Sequence, residues 1–420
     1  MSAGIRPSSP SSPPPLWRRL AGFTLIPVIA AVSPLLVLPF VAQNADPAGW
    51  SSALAGEVVG TFAAIFVGYG WTTIGPALIA SAPSDAVRGR LYREALVVRA
   101  ATTAFALPAM ALVIWLIATP GYELLAILMG AQGALIAISY QWFTIGLGRP
   151  GAIAYYDAIP RLLAAIFAAA VIGTGGPLEV YPLSGIAVTV VGTSLYTARV
   201  LPRYPAPWPR WRDAPRLVRS GAPVTVTDAA LGVYAAVPTP LATVMYPGAP
   251  AAGFATADKL MKLGQFIPLT LANSLQSWTS EVAGHERSRR IKRALLAHGG
   301  LGVVGAVVFI AVAPFVSEVW FDSAVNGEVV VPLGIAFALY SVRTSMSRHA
   351  LFPEGRVRLV MTATVIGTAV GVPAMVVLGV PFGTTGIAIG YALTEAVTTA
   401  LMIRETRRVV TAISERRPPV

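Results

Sequence analysis

Gly253-Phe254-Ala255-Thr256-Ala257-Asp258-Lys259-Leu260-Met261-Lys262-Leu263-Gly264-Gln265-Phe266 places three charges inside a run that otherwise reads as a membrane helix. The chain has only three lysines, Lys259, Lys262 and Lys292, against 28 arginines, and two of the three stand in this run. A compact, strongly hydrated ammonium is chemically unlike a planar guanidinium, so the choice of lysine carries information. Charges at bilayer depth cost roughly 2.5 kcal/mol or more each and face a partner or a water-filled cavity. The stretch therefore reads as a functional site inside a bundle of membrane helices.

Composition agrees. A mean hydropathy of +0.67, with 55% hydrophobic and 12% charged residues, lies far from the soluble norm of about a quarter charged. Without cysteine there is no disulfide, thiolate nucleophile or cysteine-ligated metal, and three scattered histidines have no metal spacing, so no cofactor is expected. The net charge of +12 would suit nucleic acid only if the basic residues gathered on one soluble face. They recur instead in short clusters between apolar runs, which excludes that partner and points to membrane topology.

Residues 1–17, rich in Ser and Pro, read as a disordered cytoplasmic tail. Arg18-Arg19 reads as a membrane flank rather than a twin-arginine export signal, because no small-residue cleavage site follows. Apolar runs of about 20–25 residues, enough for a ~30 Å hydrocarbon core, then fall near 18–42, 52–79, 98–118, 123–146, 152–173, 181–199, 221–245, 251–275, 294–316, 328–347, 358–379 and 382–403. These are spans 1 to 12.

Loops after even-numbered spans carry Arg88, Arg90 and Arg93; Arg149; Arg203, Arg210, Arg212 and Arg216; Arg287, Arg289, Arg290, Lys292 and Arg293; and Arg348 and Arg356. The opposite six loops, around Asn44, Pro120, Gly176, Pro247, Asp322 and Val380, contain no Lys or Arg. The positive-inside rule then puts both termini in the cytoplasm. Trp17, Trp50, Trp142, Trp278 and Trp320 fall near span ends, as an aromatic belt would place them, burial in the bundle being the alternative for each.

The chain also resembles itself. At an offset of 204, Pro34, Gly49, Trp50 and Ala53 meet Pro238, Gly253, Phe254 and Ala257. At 201, Gly185-Ile186-Ala187-Val188 meets Gly386-Ile387-Ala388-Ile389. Two halves of six spans share an orientation and are related by an axis along the membrane normal. The expected architecture is an all-α polytopic membrane protein: an N-lobe at 18–199, an arginine- and proline-rich cytoplasmic linker at 200–220, a C-lobe at 221–403 and a basic cytoplasmic tail at 404–420.

Span 8 begins near Ala251 on the arginine-free side, which sets Asp258 ~10 Å and Lys262 ~17 Å down the axis, the latter near midplane. The spacings i,i+3 and i,i+4 put Asp258, Lys259 and Lys262 on one face, broad enough to line a cavity. Two readings stand: an Asp258–Lys262 pair that only orients the helix, or a substrate site. Lys259 is uncompensated in the first, and the repeat sets Leu54, Ala55 and Val58 opposite, so the positive charge is specific to the second lobe. In span 5, Arg161 and Asp157 repeat the i,i+4 spacing, and Arg161 either lines the cavity or snorkels to the interface. Arg343, one turn from the end of span 10, reads as snorkelling. Asp228, Glu57 and Glu395 read as lone carboxyls, able to carry a coupling proton or to hydrogen-bond a neighbouring helix as neutral acids.

Three features together resemble the polysaccharide transporter family, the Wzx-type O-antigen flippases of the MOP superfamily. They are the twelve spans in two lobes, the passage Gln141-Trp142-Phe143-Thr144-Ile145-Gly146-Leu147-Gly148 leading to Tyr155-Tyr156-Asp157-Ala158-Ile159-Pro160-Arg161, and Ala257-Asp258-Lys259-Leu260. The resemblance implies a V-shaped alternating-access transporter in the cytoplasmic membrane that moves an undecaprenyl-pyrophosphate-linked oligosaccharide to the outer leaflet. It also implies contact with glycan polymerases or glycosyltransferases. The sister MATE family implies proton- or sodium-driven drug export, although span 1 lacks an acidic residue. Short loops without paired carboxylates, a nucleotide loop or metal spacing speak against an enzyme.

Overall fold

The computed structural model describes residues 33–149 and 151–415. The tail expected at 1–17, Trp17 and the first part of span 1 lie outside the described residues. Span 1 is helical from 33 to 44. Span 2 is Pro47–Gly68 continued by Trp71–Ala80; spans 3 and 4 are Asp85–Ile117 and Glu123–Gly146; spans 5 and 6 are Gly151–Gly173 and Val180–Arg203. Span 7 is Ala214–Ala236 with Pro238–Met245, and span 8 is Ala249–Gly264 with Phe266–Ser280. Spans 9 and 10 are Gly284–Phe321 and Gly327–Leu351. The helix Val357–Glu415 holds spans 11 and 12, divided at Gly383, whose φ of 60° and ψ of −144° no helix adopts.

Among the described residues eight helices are long and apolar enough to cross a membrane. The number reaches twelve when Val357–Glu415 is divided, and when span 1 and the interrupted spans 7 and 8 join the tally. The breaks have local causes. Tyr69 and Gly70 take positive φ and end the first part of span 2. Pro238 and Pro268 bring no N–H to the helix bond expected of them, and spans 7 and 8 divide nearby.

On the arginine-rich side several helices outrun their apolar runs. Span 3 starts at Asp85, its first turn capped by the Ser84 hydroxyl, and span 7 starts at Ala214, inside the segment read as linker. Charge ends a hydrophobic run without ending a helix, because Arg and Glu are good helix formers. Arg93, read as a loop cation, is buried: it donates to the carbonyls of Tyr204 at 2.8 Å and Leu201 at 3.0 Å, tying the start of the linker to span 3.

Within the N-lobe, Gly56 and Gly60 press span 2 onto the backbone of Ala126 and Gly130 in span 4; a Cβ on Gly60 would meet Gly130 O at 2.0 Å. Such small-residue contacts substitute for a hydrophobic driving force that lipid does not supply. The repeat recurs in packing. Gly49 faces the Tyr122 ring and its equivalent Gly253 faces Ala324 O, each at the connection leading to the fourth span of its lobe. Trp50 and Trp142 are buried rather than belted: Trp50 stacks on Phe321 and gives its indole N–H to Thr256 Oγ1 at 2.8 Å, and Trp142 sits among Trp71, Tyr92 and Phe143. Trp320 stays exposed at its span end.

The lobes meet along span 2, which packs on spans 7 and 8. In the arginine-free half one core takes Leu38, Trp50 and Leu54 from the first lobe and Ala252, Ala255 and Phe321 from the second. At that end Asp46 caps span 2 through the N–H of Gly49 and also accepts from the Tyr122 hydroxyl. The Tyr122 bond first, then Gly49, holds the Asp46 carboxyl below its usual range. A depressed carboxylate gives stability above its unfolded value that is lost as pH falls through the folded one. Asp46→Ala is therefore expected to cost about 1 kcal/mol at neutral pH and progressively less as pH falls below the usual carboxylate range, read by thermal unfolding across that range.

Candidate functional site

Glu57 stands ten residues into the helix starting at Pro47, and Lys259 ten residues into the helix starting at Ala249. Each is thus ~15 Å from the arginine-free end, at the middle of a ~30 Å core. There they meet. Lys259 Nζ donates to Glu57 Oε1 across the lobe interface, with 17% and 23% of the two side chains still exposed. Lys259 is therefore compensated, and Glu57 is no lone carboxyl. The expectation of an unopposed positive charge in the second lobe fails because Glu57 lies at the same depth on the symmetry-related helix, between the positions that the repeat set opposite.

Asp258 faces inward to the second lobe and is 1% exposed. It accepts from Thr239 Oγ1 and from Lys262 Nζ, both at 2.6 Å. Lys262 also donates to Ala235 O at 2.8 Å, one of the carbonyls left free where the first part of span 7 ends. The i,i+4 pair read from the sequence exists, and the break in span 7 completes it.

Deeper in the same lobe, Arg343 forks onto Glu395, Nε to Oε2 at 2.7 Å and Nη2 to Oε1 at 3.1 Å, and reaches the Tyr234 hydroxyl at 2.7 Å. Snorkelling is thereby corrected: the side chain turns into the bundle because Glu395, 1% exposed, offers a bidentate partner there. Glu395 is likewise paired, not lone. In the first lobe Asp157 lies in a π-helical turn, Ala154–Ala158, a local widening often found at functional positions. It accepts from Arg161 Nη2 at 2.5 Å and Gln141 Nε2 at 2.9 Å, while Arg161 also gives to Thr189 Oγ1 at 3.2 Å. Arg161 remains inside the bundle at 13% exposure. Asp228, half-buried, accepts from Thr73 Oγ1 of the first lobe at 2.7 Å.

The structure thus brings Lys259, Lys262, Asp258 and Glu57 to one level around the lobe interface, with Asp157–Arg161 and Arg343–Glu395 as separate pairs within each lobe. Lys259 and Lys262 against Asp258 and Glu57 carry no net charge. Thr239, Tyr234, Gln141 and Thr189 were missed by sequence reasoning, since a lone hydroxyl or amide in an apolar run has no spacing signal. Glu57 had one: it is as far from its helix start as Lys259. Among the described residues no group of three or more His, Asp and Glu could hold a metal ion.

No protein-family profile matches the chain. A putative O-antigen transporter of Shigella dysenteriae is 20% identical over 377 residues, covering 88% of this chain and 95% of that protein. The lipid II flippase MurJ, in an inward closed conformation, superposes with a TM-score of 0.69 at 11% identity over 93% of this chain and 90% of its own. The chain has the fold of the MOP-superfamily transporters. An inward-facing multidrug resistance MATE transporter of that superfamily gives a TM-score of 0.65 at 16% identity, over 95% of this chain and all of the other. The eukaryotic MATE transporter AtDTX14 gives 0.61 at 13%. At these identities the likeness shows the fold, a multi-pass membrane bundle in two lobes, and that fold carries flippases and drug exporters alike.

Proposed function

We propose that this transporter flips an undecaprenyl-pyrophosphate-linked oligosaccharide across the cytoplasmic membrane by alternating access, with both termini in the cytoplasm. The observation that carries the reading is the pair of lysines at midplane, Lys259 on the lobe interface and Lys262 three residues on, in a chain that otherwise uses arginine. Pyrophosphate carries about two negative charges, and two compact ammonium groups match them as point charges. Each lysine already rests on a carboxylate, so the substrate must exchange with Glu57 and Asp258 rather than fill an empty cationic pocket. That exchange keeps binding weak enough for release. The O-antigen transporter and the lipid II flippase among the similar proteins support the same substrate class. Partners beyond the lipid-linked substrate and membrane lipids, such as a glycan polymerase, belong to the proposal too.

A MATE-like export of organic cations is the second reading, favoured by the presence of Glu57 and Asp258 at the same level and by the MATE superpositions. Lys259→Gln separates the two. It removes one cation while Glu57, 23% exposed, can be hydrated in place. Export of surface glycan at matched protein level is expected to fall at least tenfold while lipid-linked precursor accumulates; Lys259→Arg should rescue in part. Wild-type export from Lys259→Gln combined with Lys262→Gln would move the assignment to the drug exporter.

A further inference from the structure

Four of the inward-facing carboxylates carry a cation, Asp157 with Arg161, Glu57 with Lys259, Glu395 with Arg343 and Asp258 with Lys262, while half-buried Asp228 accepts from the Thr73 hydroxyl. A fully buried base without a cation or a hydrogen-bond partner lies elsewhere. His298 of span 9 and His349 of span 10, 0% and 1% exposed, meet edge to face with ring centroids 5.6 Å apart. His298 is 23 residues from the arginine-free end of span 9 and His349 is 22 from that of span 10, so both sit ~33 Å from that end, at the arginine-rich edge of the core.

Hydrogen-bond donors fix the protons. The Ser341 hydroxyl gives its one hydrogen to His298 O at 2.8 Å, so its oxygen can only accept from His298 Nδ1, at 3.3 Å. His298 therefore carries its proton on Nδ1. Its Nε2 is a bare lone pair, buried and without a hydrogen-bond partner. His349 is complete: Nε2 donates to Ala272 O at 3.2 Å and Nδ1 accepts from Ser345 Oγ at 3.0 Å. No water-sized space adjoins His298 Nε2, so the one ligand that atom can take in this packing is a proton.

We propose that His298 Nε2 is a proton-binding site of this transporter, loaded when the Phe266–Ser280 half of span 8 leaves spans 9 and 10. In the packed arrangement a proton there would create a cation with no acceptor, which is costly. Span 8 brings Asp258, Lys259 and Lys262 in its first half, each already paired, and no ionisable side chain in Phe266–Ser280; span 10 brings Arg348 beside His349 and Arg343 held by Glu395 of span 12; span 9 itself has Arg293 and Lys292 five and six residues away. His349 ties that half of span 8 to span 10 directly, through the carbonyl of Ala272. The break between Gly264 and Phe266 supplies the hinge, and Lys262 lies on the far side of it. Protons thus bind the released arrangement better, and acid shifts the population toward it, by up to about tenfold per pH unit for one proton. As a coupling device this rests on the transporter reading; as chemistry it does not.

The chain has no cysteine, so Ser81→Cys and Ser280→Cys place two spin labels at exposed sites on the arginine-rich ends of spans 2 and 8. Pulsed dipolar distances in lipid nanodiscs between pH 5.5 and 8 should show two populations that exchange with pH. His298→Asn keeps a donor for Ser341 and removes the base, and should flatten the titration. His349→Gln keeps a donor for Ala272 and should leave it pH-dependent. An unchanging wild-type distribution, or a normal titration in His298→Asn, overturns the proposal. Should His298→Asn not fold, imidazole ¹⁵N resonances of the wild type decide, with exposed His285 as reference: an Nε2–H tautomer of His298 at pH 8 overturns it equally. Wild-type glycan export from Lys259→Gln combined with Lys262→Gln, beside an intact pH response, would instead remove the flippase reading and leave this site standing.

Discussion

Asp258→Asn should strip the membrane of folded protein. The asparagine keeps the size of the side chain and, through its amide oxygen, an acceptor for Thr239 and Lys262, but it removes the negative charge that neutralises the Lys262 ammonium at a position where Asp258 was 1% exposed. Breaking a buried pair on one side costs about 3–5 kcal/mol, a large part of the roughly 5–15 kcal/mol that holds a domain together. Fluorescence-detected size exclusion and thermal unfolding would register it as lost monodisperse protein and a lowered midpoint. Asp258→Asn with Lys262→Met should recover most of the loss, because removing both charges leaves no uncompensated ion. A single mutant as stable as wild type would place the pair in a hydrated cavity instead, with Lys262 free to meet substrate.

That test turns on a distinction the amino-acid sequence left open. The i,i+4 spacing of Asp258 and Lys262 allowed either a structural pair or a cavity lining, and nothing in an apolar run says which way a helix is rotated. Burial decides for Asp258, while Lys262, at 22% exposure, keeps one side toward the interface. The fold was far more legible than the site. Hydropathy and the arginine-free loops are properties of long stretches, repeated many times along the chain, and the Gly49/Gly253 register is read from several residues matching at one offset. Pairing between helices is set by single residues at equal depth. Glu57 and Glu395 looked alone because their partners, Lys259 and Arg343, lie 202 and 52 residues away. Arg343 looked interfacial because its distance from the span end was counted without the π-helical turn at Met346–Leu351, which carries the span further.

Glu57→Lys should abolish transport, and the swap with Lys259→Glu should restore the structure without restoring the activity. In the single mutant two ammonium groups face each other where one ion pair bridged the lobes, at midplane and partly shielded from water. Like charges there push the lobes apart, so protein yield should fall along with export. The double mutant rebuilds an interlobe pair of the same two groups with the polarity reversed, and a coupling energy of about 0.5–3 kcal/mol should reappear in a double-mutant cycle on thermal stability. If Lys259 serves only to clasp the lobes, glycan export returns with it. If it also receives the pyrophosphate, export stays at least tenfold down. The cation then stands on span 2, away from Lys262, and a carboxylate stands beside Lys262 where the second phosphate charge should bind. Surface glycan measured against membrane-inserted protein separates the two outcomes, and full export from the swapped pair would reduce Lys259 to a clasp.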